Sequence, residues 1–243
     1  MKKLHYVFIF LIAIFFSNCG TEEKFTEVYV LIDVTDKTLK ENKAVNQSIP
    51  KILKKIGVSS QNGGYSGGEV KLFLINELSE SISSTFRIEK GVQGMLGDNI
   101  LDRQDKIKEF ESKLDKAFSN VFDNSNFDRS KSKIYQNLCR EINSLKQNIA
   151  DNKIIIVYSD MLENSELFSI YTDNTDNIKI EDFEKKHLQK DCLLPDLSDI
   201  DIFVVTNRNQ KNDENINKAE RFWKQLFKSH HVKSFTLDAE LND

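Results

Sequence analysis

Hydrophobic and polar positions divide the chain into one opening apolar block followed by a regular alternation of two patterns. Tyr6 to Phe16 is an unbroken apolar run of 11 residues. From Glu27 onward, short continuous apolar runs alternate with longer stretches whose apolar residues recur every three or four positions. Val28 to Ile32, Val70 to Ile75, Lys153 to Tyr158 and Ile200 to Val205 read as strands, and their lack of a polar face predicts cover on both sides. Ser84 to Glu89 and Val232 to Leu237 are further strand candidates. Helical spacing predicts helices over Leu39–Ile56, Asp102–Val121, Ser132–Ile149, Glu181–Gln189 and Glu214–Lys228. Pro50 predicts a kink or restart in the first of these, and Gly57 predicts its stop. The alternation implies an α/β fold, a doubly wound and mostly parallel central sheet flanked by helices. Val28–Ile32 and Ile154–Tyr158 are expected to be adjacent, parallel and central.

The opening block changes the picture of where the chain works. Lys2 and Lys3 precede it, and Ser17-Asn18-Cys19 follows it. The run is too short to cross a bilayer, which takes roughly 20 apolar residues, and has the length of a signal-peptide core. This order resembles a bacterial lipoprotein signal. The resemblance implies a signal peptide over 1–18, lipidation of Cys19, a tether over 19–26 and one domain over 27–243. It also implies a membrane-anchored protein of the cell envelope, periplasmic or surface-facing. With 243 residues and 39% hydrophobic content, one domain with a buried core is expected. The net charge is −4, or −6 once Lys2 and Lys3 are removed, which excludes a nucleic-acid footprint. Cys139 and Cys192 remain; a disulfide and two buried thiols are both open to them.

Ligands of such sheets sit beyond the carboxyl ends of the strands. There the chain carries Asp33-Val34-Thr35-Asp36-Lys37-Thr38 after its first strand and Ser159-Asp160 after its strongest, with Ser132 opening a helix. Carboxylates and hydroxyls are hard oxygen ligands suited to Mg2+ or Ca2+. Asp36 reads as a solvent-exposed loop residue. Gln61 to Gly68 reads as a solvated glycine-rich loop, since no Lys-Ser/Thr follows its glycines as in a P-loop. Asp173 to Asp182 reads as a solvated insertion. His5, His187, His230 and His231 show no convergence with the acids, and solvent-facing or capping roles are expected. No nucleophile elbow and no His-Glu-x-x-His occurs, so an enzyme is not expected.

The order strand, Asp-x-Thr, helix, strands, Ser-x-Ile-x-x-x-Leu helix, strand, Ser-Asp resembles a von Willebrand factor type A domain over residues 27–237. The resemblance implies a metal-ion-dependent adhesion site built from Asp33, Thr35, Ser132 and Asp160. It implies a bound Mg2+, Ca2+ or Mn2+ whose open position takes an acidic side chain of an envelope protein partner. Lys37 departs from the pattern, because it stands where the family has a second hydroxyl and it cannot ligate a metal. The expectation is a membrane-tethered protein-binding module; the alternatives are a Mg2+-dependent envelope hydrolase and a metal-free scaffold component of an envelope assembly.

Overall fold

The computed structural model describes residues 23–36, 38–39, 47–61, 64–75, 84–92, 97–125, 131–173, 175, 178–188, 192–208 and 213–242. The expected signal segment, Cys19 and Lys37 lie outside the described residues. Six strands form one sheet: β1 (Phe25–Asp33), β2 (Gly67–Ile75), β3 (Ser84–Ile88), β4 (Asn152–Tyr158), β5 (Ile200–Val205) and β6 (Ser234–Asp238). The spatial order is β3-β2-β1-β4-β5-β6, with β3 antiparallel and the other neighbours parallel. β1 and β4 are adjacent, parallel and central, as their apolar runs predict; Val28 sits opposite Ile154 and Val30 opposite Ile156.

Five helices are described: α1 (Ser48–Ile56), α2 (Ile100–Asn124), α3 (Ile134–Gln147), α4 (Ile180–Leu188) and α5 (Asp213–Ser229). Side-chain alternation along the central strands divides the core in two. Tyr29 and Leu31 of β1 and Ile155 and Val157 of β4 pack with α3, α4 and α5 on one face. Val28, Val30 and Ile32, with Ile154 and Ile156, pack with α1 and α2 on the other. The sheet is therefore covered on both sides, which accounts for strands with no polar face.

Several boundaries depart from the expectation for identifiable reasons. α1 starts at Ser48, so Pro50 falls in the first turn, where no intrahelical N–H bond is lost. Gly57 ends it in the left-handed conformation with φ 83°. Gly67 and Gly68, expected in a solvated loop, are buried residues of β2. A Cβ on Gly68 would stand 2.7 Å from the Thr26 carbonyl oxygen, so the absent side chain is what lets β2 lie against its neighbours. α3 stops at Gln147, leaving Ile149, placed on its apolar stripe by spacing alone, 99% exposed. Cys139 on α3 and Cys192 after α4 are joined in a disulfide.

Candidate functional site

β1 and β4 point their carboxyl ends at the same place, and the connections that leave them diverge to opposite faces of the sheet. Asp33 ends β1 and is fully buried. Its Oδ1 accepts from the backbone N–H of Thr35 at 2.9 Å and from the Thr35 hydroxyl at 2.6 Å. Its Oδ2 accepts from the Ser132 hydroxyl at 3.1 Å and from the Ser159 hydroxyl at 2.7 Å. The structure thus brings Asp33 and Thr35, on one segment, together with Ser132 and Ser159 from two others, the first three being residues that the sequence analysis singles out. Each hydroxyl spends its only proton on Asp33, so toward anything else it can act only as an acceptor.

Asp160, one residue past Ser159, is partly exposed; its Oδ1 accepts from the Leu162 N–H at 3.0 Å. Burial first, then the charges of Asp36 and Asp33, hold its carboxyl well above the ordinary carboxylate range. Burial also raises Asp33, against the opposing effect of its four hydrogen bonds. Asp36 corrects the sequence reading. It is 5% exposed, not a solvated loop residue, and burial and the charge of Asp33 raise its carboxyl. Its Oδ1 is held by the N–H and hydroxyl of Thr38 at 2.9 and 2.7 Å, while its Oδ2 is buried without a hydrogen-bond partner among the described residues. Ser159 is the other member that sequence reasoning passed over, although its position directly after the strongest strand was the available signal.

Among the described residues no Lys or Arg pairs with Asp33, Asp36 or Asp160. Nor do three His, Cys, Asp or Glu side chains close on one point as a carboxylate-only or imidazole-only metal site would. A cation here would have to draw on hydroxyl oxygens as well as carboxylates. The donor set fits that demand: three acceptor-only hydroxyls, an orphaned buried Asp36 oxygen, and Asp160, all hard oxygens.

The surroundings hold these groups rigidly. Ser132 and Asn164 exchange backbone hydrogen bonds of 3.3 and 3.0 Å, so the loop after β4 clamps the segment that carries Ser132. That loop turns at Met161, whose φ is 59° and whose carbonyl accepts from Trp223 Nε1 of α5 at 2.9 Å. Glu163, 1% exposed, accepts from the Tyr135 N–H at 2.8 Å and so caps α3, whose own N-cap residue makes no side-chain cap. Tyr171, 55% exposed, stands at the rim; burial of its hydroxyl and the charges of Asp160, Asp36 and Asp33 push it up to about 12.

The histidines lie elsewhere. His187, expected to face solvent, is 5% exposed between the rings of Tyr135 and Phe183, with Nδ1 bonded to the Phe183 carbonyl. His230 contacts Glu184, and His231 contacts Asp196.

No protein-family model matches the chain, and no curated protein matches it. Among solved structures it is similar to the pilus adhesin SpaC from Lactobacillus rhamnosus GG in its open conformation, with TM-score 0.46, 12% identity, and coverage of 91% of this chain and 28% of that one. It is similar to the human COPII-coat protein Sec24c, with TM-score 0.42, 11% identity, and coverage of 91% and 30%. It is also similar to proximal thread matrix protein 1 from the mussel byssus, with TM-score 0.32, 10% identity, and coverage of 89% and 42%. The chain spans less than half the length of each.

Proposed function

We propose that this chain is a non-enzymatic binding module with the doubly wound layout of a von Willebrand factor type A domain. In this reading Cys19 carries lipid and tethers the domain to a membrane of the bacterial cell envelope. The sheet edge at Asp33 holds a divalent cation, Mg2+ in the first instance, through which an acidic side chain of an envelope protein is engaged. The observation that carries the reading is the Oδ2 of Asp36, buried without a hydrogen-bond partner among the described residues and in the field of two further carboxylates, with only the Asp160 backbone near enough to ease the Asp36 carboxyl from that side. Three neighbouring acids, with no Lys or Arg paired to them among the described residues, repel one another, and an ion of opposite charge relieves them.

The residues divide the work. Asp33 orients the hydroxyls of Thr35, Ser132 and Ser159 by taking their protons, and presents their oxygens as ligands. Asp36 supplies the donor that Lys37 cannot. Asp160 contributes charge from beyond the carboxyl end of the neighbouring strand, β4. A bound divalent ion supplies positive charge to a partner carboxylate. A hydrolase would want a base at this edge, and no described histidine serves there: His187, His230 and His231 make their contacts elsewhere.

Thermal melts in EDTA and in Mg2+ or Mn2+ test the reading. Saturation at a hundredfold excess over Kd stabilises a folded-state binder by about 2.7 kcal/mol. For a domain of this size that is roughly 5–11 °C in Tm. Asp160→Ala and Asp36→Asn are expected to abolish the shift, and Lys37→Ser to enlarge it. No shift in either the wild type or Lys37→Ser refutes the cation site.

A further inference from the structure

Away from that site, the sheet ends at β3, whose only hydrogen-bonded neighbour among the described residues is β2. In an antiparallel edge strand alternate N–H and C=O groups point outward, here within Thr85 to Ile88. Beyond Ile88 the edge is closed: the Arg103 guanidinium donates to the carbonyls of Glu89, Gly64 and Ser66 at 2.8, 2.9 and 2.6 Å. Alongside the open stretch runs a groove of about 480 Å³ between β3 and α2. Thr85 to Ile88 of the strand, with Glu89 and Lys90 just after it, line one wall, and Lys106, Phe110 and Lys113 of α2 line the other. Buried Ile88 and Phe110 give it an apolar base, and Val92, 62% exposed, gives it an apolar end.

A groove bounded on one side by a strand edge that no other described strand covers, and on the other by a helix, has the geometry in which an extended peptide adds as a further strand. Backbone hydrogen bonds would hold the peptide, and alternate side chains would face the groove. Its charge selects the occupant. Five basic residues line it against three acidic ones, in a chain whose net charge is −4; Arg103 is spent on the carbonyls above and Lys90 on Asp151, so Lys106 and Lys113 of α2 carry the charge that an occupant meets. Arg87 is turned away, held by Glu69, Glu89 and the Phe25 ring, whereas Lys113 of α2, more than half exposed, pairs with the equally exposed Glu109, and Lys106 beside it is exposed. Such pairs are weak and exchange readily for a partner's carboxylate. We infer that the β3–α2 groove is a docking site for an extended acidic segment of a partner protein, which adds to β3 as a seventh strand. The inference is independent of the cation site.

The test uses the soluble domain in EDTA, so that no divalent cation takes part, and three synthetic probes. One is a capped peptide alternating Glu and Val, the second its Lys-Val counterpart, and the third the Glu-Val peptide with alternate amides N-methylated. The Glu-Val peptide is expected to bind and to slow hydrogen exchange of amides within Thr85–Ile88. The N-methylated and Lys-Val probes are expected to bind at least tenfold more weakly, as is the Glu-Val peptide to Lys106→Glu/Lys113→Glu. No binding of the Glu-Val peptide at 1 mM, or equal binding of its N-methylated form, overturns strand addition. Protection of the same amides without peptide that rises with protein concentration assigns the edge to a second copy of the chain instead, and overturns the proposal as well.

Discussion

Glu163 offers a direct reading of what burial costs in this fold. Its carboxyl caps the first turn of α3 from a distant loop, is 1% exposed, and has no ion-pair partner among the described residues. Burial chiefly, against the opposing hydrogen bonds of Tyr135, Ser165 and Ile134, pushes it up to about 7 from an ordinary 4.5. The folded state therefore keeps a proton that the unfolded state releases. The resulting stability is full below pH 4.5 and is lost as pH rises to about 7. The shift corresponds to about 3 kcal/mol at 1.36 kcal/mol per pH unit. Glu163→Gln keeps an acceptor for the Tyr135 N–H and removes the titration. Urea unfolding of both proteins between pH 4.5 and 8 is expected to show the variant gaining about 2–3 kcal/mol on the wild type as pH rises. His187 lines the same small cavity, of about 130 Å³, and acts in the opposite sense. Burial lowers it, so its contribution is present above pH 6.5 and is lost as pH falls; it is common to both proteins and drops out of their difference. A difference that stays constant across this range would refute the assignment of a buried, titrating Glu163.

Three further outcomes follow. Replacing Cys139 and Cys192 by Ser opens a loop spanning 53 positions, and chain-entropy arithmetic puts the loss at about 4 kcal/mol; urea midpoints of the two proteins check it. Trp223→Phe leaves the Met161 carbonyl without its donor and is expected to cost about 1–3 kcal/mol, and to weaken Mn2+ binding by calorimetry because that turn carries Asp160 toward Asp33. Cys19→Ala is expected to move the full chain from the detergent to the aqueous phase in phase partitioning, and equal partitioning of both proteins would defeat the lipid anchor.

The central strands and the pairing of β1 with β4 were legible because burial on both faces leaves a mark: Val28–Ile32 and Ile154–Tyr158 are apolar runs without a break. The convergence of Asp33, Thr35 and Ser132 followed from where they stand relative to those strands. What local pattern could not reveal was set by long-range packing. Asp36 is polar and lies in a turn, so its burial depends on β4 and its loop closing over it from far along the chain. Gly67 and Gly68 carry no hydropathy signal, and the closeness of the Ile88–Lys90 backbone to the first and of the Thr26 carbonyl to the second explains them. His187 is one polar residue on a short helix, and its burial comes from Tyr135 on another element. The pairing of Cys139 with Cys192 likewise needed the fold to bring α3 beside the segment after α4.

The position of Asp33 has a mechanical consequence. β1 runs about 30 Å from Phe25, where the chain enters the sheet, to the candidate site at its other end. At the point of entry Phe25 is locked to Asp151, which accepts from its N–H at 2.6 Å and donates to its carbonyl at 2.9 Å. Tension between an anchor upstream of Phe25 and a ligand held at Asp33 would run along β1 itself. Both neighbours, β2 and β4, are parallel to it over nearly its whole length. Such a load shears two rows of hydrogen bonds at once and cannot open them one by one. Under pull the sheet would hold as a unit, and the bond to the ligand would be the first to give.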